Sequence, residues 1–197
     1  CIKADLSKEL ELKKLFINAK KEMGHINCLI NNASTFELDS IENIKKKNWD
    51  YHLNTNVWAP IFLIQQFIKN LPKKNNGNII NILDQRVINL TPFFTTYTLT
   101  KSVLWTLTQT MALSLAPKIK VNAIGPGPTF PSKRQTNRQF KNQYMKVPLK
   151  KAIDPNEIAE AVLFILNSNS LTGQLINVDS GQHLGWAQGN NKKILDE

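Results

Sequence analysis

Tyr97 and Lys101 stand four residues apart in Tyr-Thr-Leu-Thr-Lys, a spacing that puts a phenol and an ammonium on one face of a helix. A cation beside a phenol favours the phenolate, so Lys101 is expected to lower the pKa of Tyr97 and make it a usable acid near neutral pH. Such a pair suits reduction of a carbonyl or an imine. Ordinary solvated helix faces carry the same spacing, so the elements around the pair must decide.

Those elements alternate. A helix opening near Ser7, its expected cap, carries Leu12, Leu15, Phe16, Ala19 and Met23 on one face and closes at Gly24. The apolar run Ile26 to Ile30 then reads as a buried strand that empties into Asn31-Asn32-Ala33-Ser34. A helix from about Trp49 to Leu71, a strand Asn78–Leu83, a helix from about Thr95 to Ala116 and a strand Ile119–Ile124 repeat the pattern. After Gly125-Pro-Gly-Pro128 comes an irregular basic segment. Asp154-Pro-Asn-Glu157 then supplies a cap and capping box for a helix to about Leu166, and Gln174–Val178 is a last strand. Strands alternating with crossover helices predict an α/β, doubly wound, Rossmann-type parallel sheet in one domain over residues 1–197, with a loose polar tail at about 187–197.

Inside the first long helix, Pro60 has no N–H for the carbonyl of Asn56, so a kink is expected there. The freed carbonyl could hold an ordered water in a proton relay, or the kink could serve packing alone.

Composition narrows the function. The net charge of +10 is spread among Asn and Ile without a zinc-finger spacing or a basic-aromatic strand motif, so a solvated basic surface is expected rather than a specific nucleic-acid site. Cys1 and Cys28 can form neither a disulfide framework nor a metal site, Cys28 reads as a small buried thiol, and a reducing, cytoplasmic setting fits. No apolar run is long enough to span a bilayer. Seven cations, Lys133, Arg134, Arg138, Lys141, Lys146, Lys150 and Lys151, concentrate between 131 and 151 with no acidic residue among them.

The chain resembles the short-chain dehydrogenase/reductase family in its ordered elements. These are Asp5-Leu6, Asn31-Asn32-Ala33, Trp49 with Asn56, Tyr97-x-x-x-Lys101, Pro126-Gly127, Thr172-Gly173-Gln174 and Asp179-Ser180-Gly181. The resemblance implies Tyr97 as general acid, Lys101 as its partner and ribose ligand, and Asn56 as holder of the relay water. It implies a cofactor, NADPH with NAD as the other choice, along Asp5, Leu6, Asn32, Ala33, Ser34, Tyr97, Lys101, Pro126 and Gly127. It also implies a mobile substrate loop at about 126–151, whose cations either draw an anionic ligand or keep the loop soluble, and a homodimer or homotetramer. The glycine-rich loop and first two strands of the family lie in about 50 residues expected upstream of Asp5. The chain is accordingly read as lacking them, with an exposed sheet edge, poor cofactor binding and no activity by itself.

One departure points to a substrate. The family's usual serine, thirteen residues before the tyrosine, is here Asp84 in Leu83-Asp-Gln-Arg86. A subgroup resembling the pteridine reductases makes the same exchange, using the Asp with the Tyr to protonate a ring nitrogen. That subgroup also carries the pattern of Asn32-Ala-Ser-Thr-Phe36, whose aromatic can stack on a flat heterocycle. Asp84, Phe36 and Arg86 are thus the substrate-binding candidates, Arg86 either neutralising Asp84 or facing an acidic ligand. A member that binds a ligand or a sister subunit without catalysis is the other class of function.

Overall fold

The computed structural model describes residues 1–185; the expected tail at 187–197 lies outside them. Four strands, β1 (Cys28–Asn31), β2 (Gly77–Ile82), β3 (Ile119–Pro126) and β4 (Leu175–Val178), form one sheet in the order β1-β2-β3-β4. Every pairing is parallel, in the register Leu29–Ile79–Val121 and Ile124–Ile176. The helices between them are α1 (Glu9–Met23), α2 (Lys46–Leu53), α3 (Ala59–Asn70), α4 (Thr95–Leu115), α5 (Asn137–Tyr144) and α6 (Pro155–Asn167).

Both faces of the sheet are covered, which is why β2 and β3 read as near-continuous apolar runs. On one face Ile79 and Val121 pack with Phe16 of α1, Ile64 and Phe67 of α3 and Met111 of α4. On the other, Ile80, Ile82 and Ile124 pack against Ile165 and its neighbours on α6. Two asparagines inside the strands are paired in series: Asn31 Nδ2 donates to Asn81 Oδ1 at 2.8 Å, and Asn81 Nδ2 to Thr108 Oγ1 at 2.8 Å. This buried line ties the end of β1 to α4 and so sets the loop after β1 against the helix that carries Tyr97. Among the described residues β1 has one neighbour and so forms an open sheet edge, and its Ile30 is 42% exposed. No helix among them is long and apolar enough to cross a membrane.

Several local expectations are corrected. Ser7 does not cap α1: its amide and hydroxyl both donate to Asp5 Oδ1, and the helix starts at Glu9 behind Lys8, which offers no side-chain cap. Asp154 caps α6 through the Asn156 amide instead of sharing a box with Glu157. Cys28 is only half-buried. The basic segment is not irregular throughout: Thr136 and Gln139 close a reciprocal capping box on α5. The strain at Pro60 is taken up one turn earlier, where Asn54–Trp58 widens into a π turn closed by the Ala59 amide on the Asn54 carbonyl.

Candidate active site

The carboxyl ends of β1, β2 and β3 deliver Asn32-Ala33-Ser34, Asp84 and Pro126-Gly127 to one end of the sheet, where parallel α/β folds bind ligands. A cavity of about 570 Å³ opens there, lined by Phe36, Asp84, Arg86, Phe94, Gly127 and Arg134 among others. Helix α4 brings Tyr97 and Lys101 up behind its wall. Tyr97 is 6% exposed and borders the cavity through Asp84, with its hydroxyl donating to Asp84 Oδ2 at 3.0 Å.

This arrangement overturns the expected electrostatics. The Tyr97 phenol is pushed well above its usual pKa, first by burial and then by the charge of Asp84, with Arg86 and the Ser34 hydroxyl pulling weakly the other way. Lys101 does not lower it: the ammonium donates to the Ile82 carbonyl at 2.8 Å and sits 5.6 Å from the centre of the Tyr97 ring. Lys101 is 3% exposed, and burial brings its own pKa down to about 8, against the pull of Asp84. The two side chains do share a helix face, as their spacing predicts, and the carboxylate dominates at the phenol oxygen.

Asn56 sits in the π turn and acts through its side chain. Its Oδ1 accepts from the Thr35 amide at 2.8 Å, and its Nδ2 donates to the Thr35 carbonyl at 3.0 Å and to Thr100 Oγ1 at 3.1 Å. The Thr100 hydroxyl in turn donates to the Tyr97 carbonyl at 2.7 Å. Asn56 therefore clamps the loop after β1 to the helix carrying Tyr97, while Pro60 leaves its backbone carbonyl without the usual helical donor.

Phe36 faces the same centre. Its ring stacks on Phe94 at 4.3 Å and meets the Tyr97 ring edge-on at 4.7 Å. The guanidiniums of Arg86 and Arg134 both lie within 5.7 Å of the Phe36 and Phe94 ring centres. Arg86 also donates from its amide to Asp84 Oδ1 at 2.9 Å and holds a 3.5 Å ion pair with Oδ2.

The remaining candidates are more dispersed. Asn32, Ala33 and Leu6 border a small groove beside Pro60, away from the cavity, and Ser34 lies exposed between the two. Asp5 is exposed and occupied locally, accepting from Ser7 and pairing with Lys8 at 3.4 Å. Sequence reasoning passed over Phe94 and Asp39 and did not separate Arg134 from its neighbouring cations. Arg134 alone reaches back, donating to Glu37 Oε2 at 2.9 Å and to the Phe36 carbonyl at 2.7 Å.

A family model described as enoyl-(acyl carrier protein) reductase matches residues 1–183. A 3-oxoacyl-(acyl-carrier-protein) reductase FabG of Buchnera aphidicola subsp. Baizongia pistaciae is 30% identical over 190 residues, covering 93% of this chain and 77% of the relative. Two solved structures are similar at TM-score 0.90. One is FolM alternative dihydrofolate reductase 1 of Brucella canis complexed with NADP, 40% identical over 96% of this chain and 75% of that one. The other is its counterpart of Brucella suis, also in complex with NADP, 41% identical over 95% and 75%.

Proposed function

The chain belongs to the short-chain dehydrogenase/reductase family, and from that premise we propose that it reduces a C=N bond of a pterin-like planar substrate with NADPH. The observation that carries this reading is the hydrogen bond from Tyr97 to Asp84 on the wall of an aromatic-lined cavity. A carboxylate in place of a hydroxyl suits a basic ring nitrogen, which takes a proton from Asp84 as Asp84 takes one from Tyr97. Burial keeps Tyr97 protonated until it is called on, and the Arg86 pair keeps Asp84 in place. Phe36 and Phe94 offer the flat apolar surface such a ring stacks on.

The residues present fit a nicotinamide dinucleotide. Lys101 has three donors and spends one on Ile82, leaving two for ribose hydroxyls. Asn32, Ala33 and Ser34 are exposed at the end of β1, and Pro126-Gly127 lies at the end of β3. The bound nicotinamide supplies the hydride. The choice of NADPH follows the two Brucella proteins, which are complexed with NADP. The protein is further proposed to pair with copies of itself, because Leu99, Val103 and Leu107 on α4 line an open, largely apolar groove.

The test is NADPH oxidation by the natural protein carrying this chain, with a dihydropterin against a simple ketone. Turnover confined to the ketone, or turnover indifferent to Asp84→Ala, removes the pterin reading.

A further inference from the structure

Helix α4 begins beside the site with a residue that cannot cap it. Phe94 stands at the N-cap position and makes no side-chain cap bond; at φ 60° it holds a left-handed conformation that is uncommon for a bulky residue. The first amides of a helix have no partner within it. Here one is supplied from far away: Asp39 Oδ1 accepts from the Thr96 amide at 3.2 Å across 57 positions, and the Asp39 carbonyl accepts from the Phe94 amide at 2.8 Å.

The second carboxylate oxygen continues inward. The Thr96 hydroxyl donates to Asp39 Oδ2 and accepts from His52 Nδ1 at 2.6 Å. His52 Nε2 accepts from the Glu37 amide at 3.1 Å, so the ring proton belongs on Nδ1 and the chain runs His52 to Thr96 to Asp39 without a clash of donors. Burial lowers the His52 pKa, in keeping with a neutral ring. Asp39, Thr96 and His52 are 3%, 0% and 0% exposed. The network begins and ends in the segment that carries Phe36, crosses α2, and grips the residue next to Tyr97.

We infer that Asp39 is a positioning residue for this site: its carboxylate supplies the cap that position 94 gives up in order to carry the ring stacked on Phe36, and so holds Tyr97 on Asp84. The inference rests on the reductase reading only for its catalytic consequence. Loss of Asp39 frees the first turn of α4, lets Phe94 leave its left-handed conformation, and loosens the bond from Tyr97 to Asp84.

Two readouts taken without substrate test it, amide exchange at Thr96 and the pH titration of Tyr97 followed by ¹³Cζ NMR in the full chain. In Asp39→Ala the Thr96 amide is expected to exchange about tenfold faster, the scale of a lost cap. The Tyr97 midpoint is expected to fall as the Asp84 carboxylate moves away. Asp39→Asn keeps an acceptor for the Thr96 amide but sets an NH2 against the Thr96 hydroxyl, so it is expected to fall between wild type and Asp39→Ala in both readouts. A Tyr97 midpoint unchanged in Asp39→Ala, or a Thr96 amide that exchanges there at the wild-type rate, overturns the inference. Should Asp39→Ala not fold, Asp39→Glu, whose acceptor is displaced by a methylene, is expected to lower the midpoint, and no change overturns the inference equally. Because neither readout involves turnover, a protein that proved not to be a reductase would leave both results standing.

Discussion

The Tyr97 hydroxyl donates to Asp84 Oδ2 at 3.0 Å, so the buried phenol leans on a carboxylate and not on the ammonium four residues along its helix. An acceptor at that place favours the protonated phenol, whereas a nearby cation favours the phenolate. The site thus stores a proton at Tyr97 and opens to the cavity through Asp84.

Lys101 gives the protein a distinctive pH dependence. Its folded pKa of about 8 lies below the unfolded value of 10.5, so between those limits the unfolded chain binds the extra proton and stability rises with pH. The stability difference between wild type and Lys101→Met, measured by urea denaturation, is expected to shift in favour of wild type from pH 8 to 10.5. The shift is on the order of 3 kcal/mol. Tyr97, with its folded pKa raised, erodes stability only above the ordinary phenol value of 10.0, and does so in both proteins. A difference that stays flat with pH contradicts the desolvated ammonium.

Phe36→Ala removes a ring that both stacks on Phe94 and braces Tyr97 edge-on. Steady-state kinetics with a dihydropterin are expected to show KM raised about tenfold, equal to the ~1.4 kcal/mol of one aromatic contact. Phe36→Tyr should stay close to wild type. An unchanged KM in Phe36→Ala places the substrate elsewhere.

Arg134 joins the basic segment to Glu37 and to the Phe36 carbonyl, and the side chains of the ion pair are 34% and 52% exposed. An exposed pair is worth about 0–1 kcal/mol, so Arg134→Ala should barely move the global unfolding midpoint. Local opening is another matter: tryptic cleavage after Lys133 and Arg138 should quicken about fivefold. Equal cleavage rates would mean that Arg134 does not hold the loop.

Gly127 passes so close to the last loop that a Cβ there would meet Asp179 Cα at 2.7 Å and the Asp179 carbonyl at 2.9 Å. Those are backbone atoms, and Asp179 is itself fixed by the Gly181 and His183 amides at 3.0 and 2.6 Å. Gly127→Ala is expected to destabilise by about 1–3 kcal/mol, read from a denaturant midpoint. No change would show that the two loops yield easily.

The sheet was legible because β2 and β3 are apolar on both faces, a pattern that survives any detail of packing. Asp84 and Phe36 were legible through the resemblance, Asp84 at the place of the family's serine and Phe36 in the subgroup's pattern after β1. Phe94 was not: Phe93 beside it is 55% exposed, and the contacts that turn Phe94 inward, the stack on Phe36 and the amide bond to the Asp39 carbonyl, come from segments distant in sequence. The direction of the Tyr97 shift escaped for a similar reason. Spacing shows that Lys101 is near, but burial and the Ile82 carbonyl, both tertiary, determine what its charge does. Helix α5 carried a readable sign in Thr136-x-x-Gln139, yet it buries no residue and its apolar face is the single pair Phe140 and Tyr144, too short a stripe to announce it.

Single-turnover oxidation of NADPH by the natural protein and by its Tyr97→Phe variant, with a dihydropterin, tests the proton donor most directly. Loss of a general acid is expected to slow the step about 10²–10⁴-fold at saturating NADPH. A Tyr97→Phe variant that turns over at the wild-type rate would contradict the account.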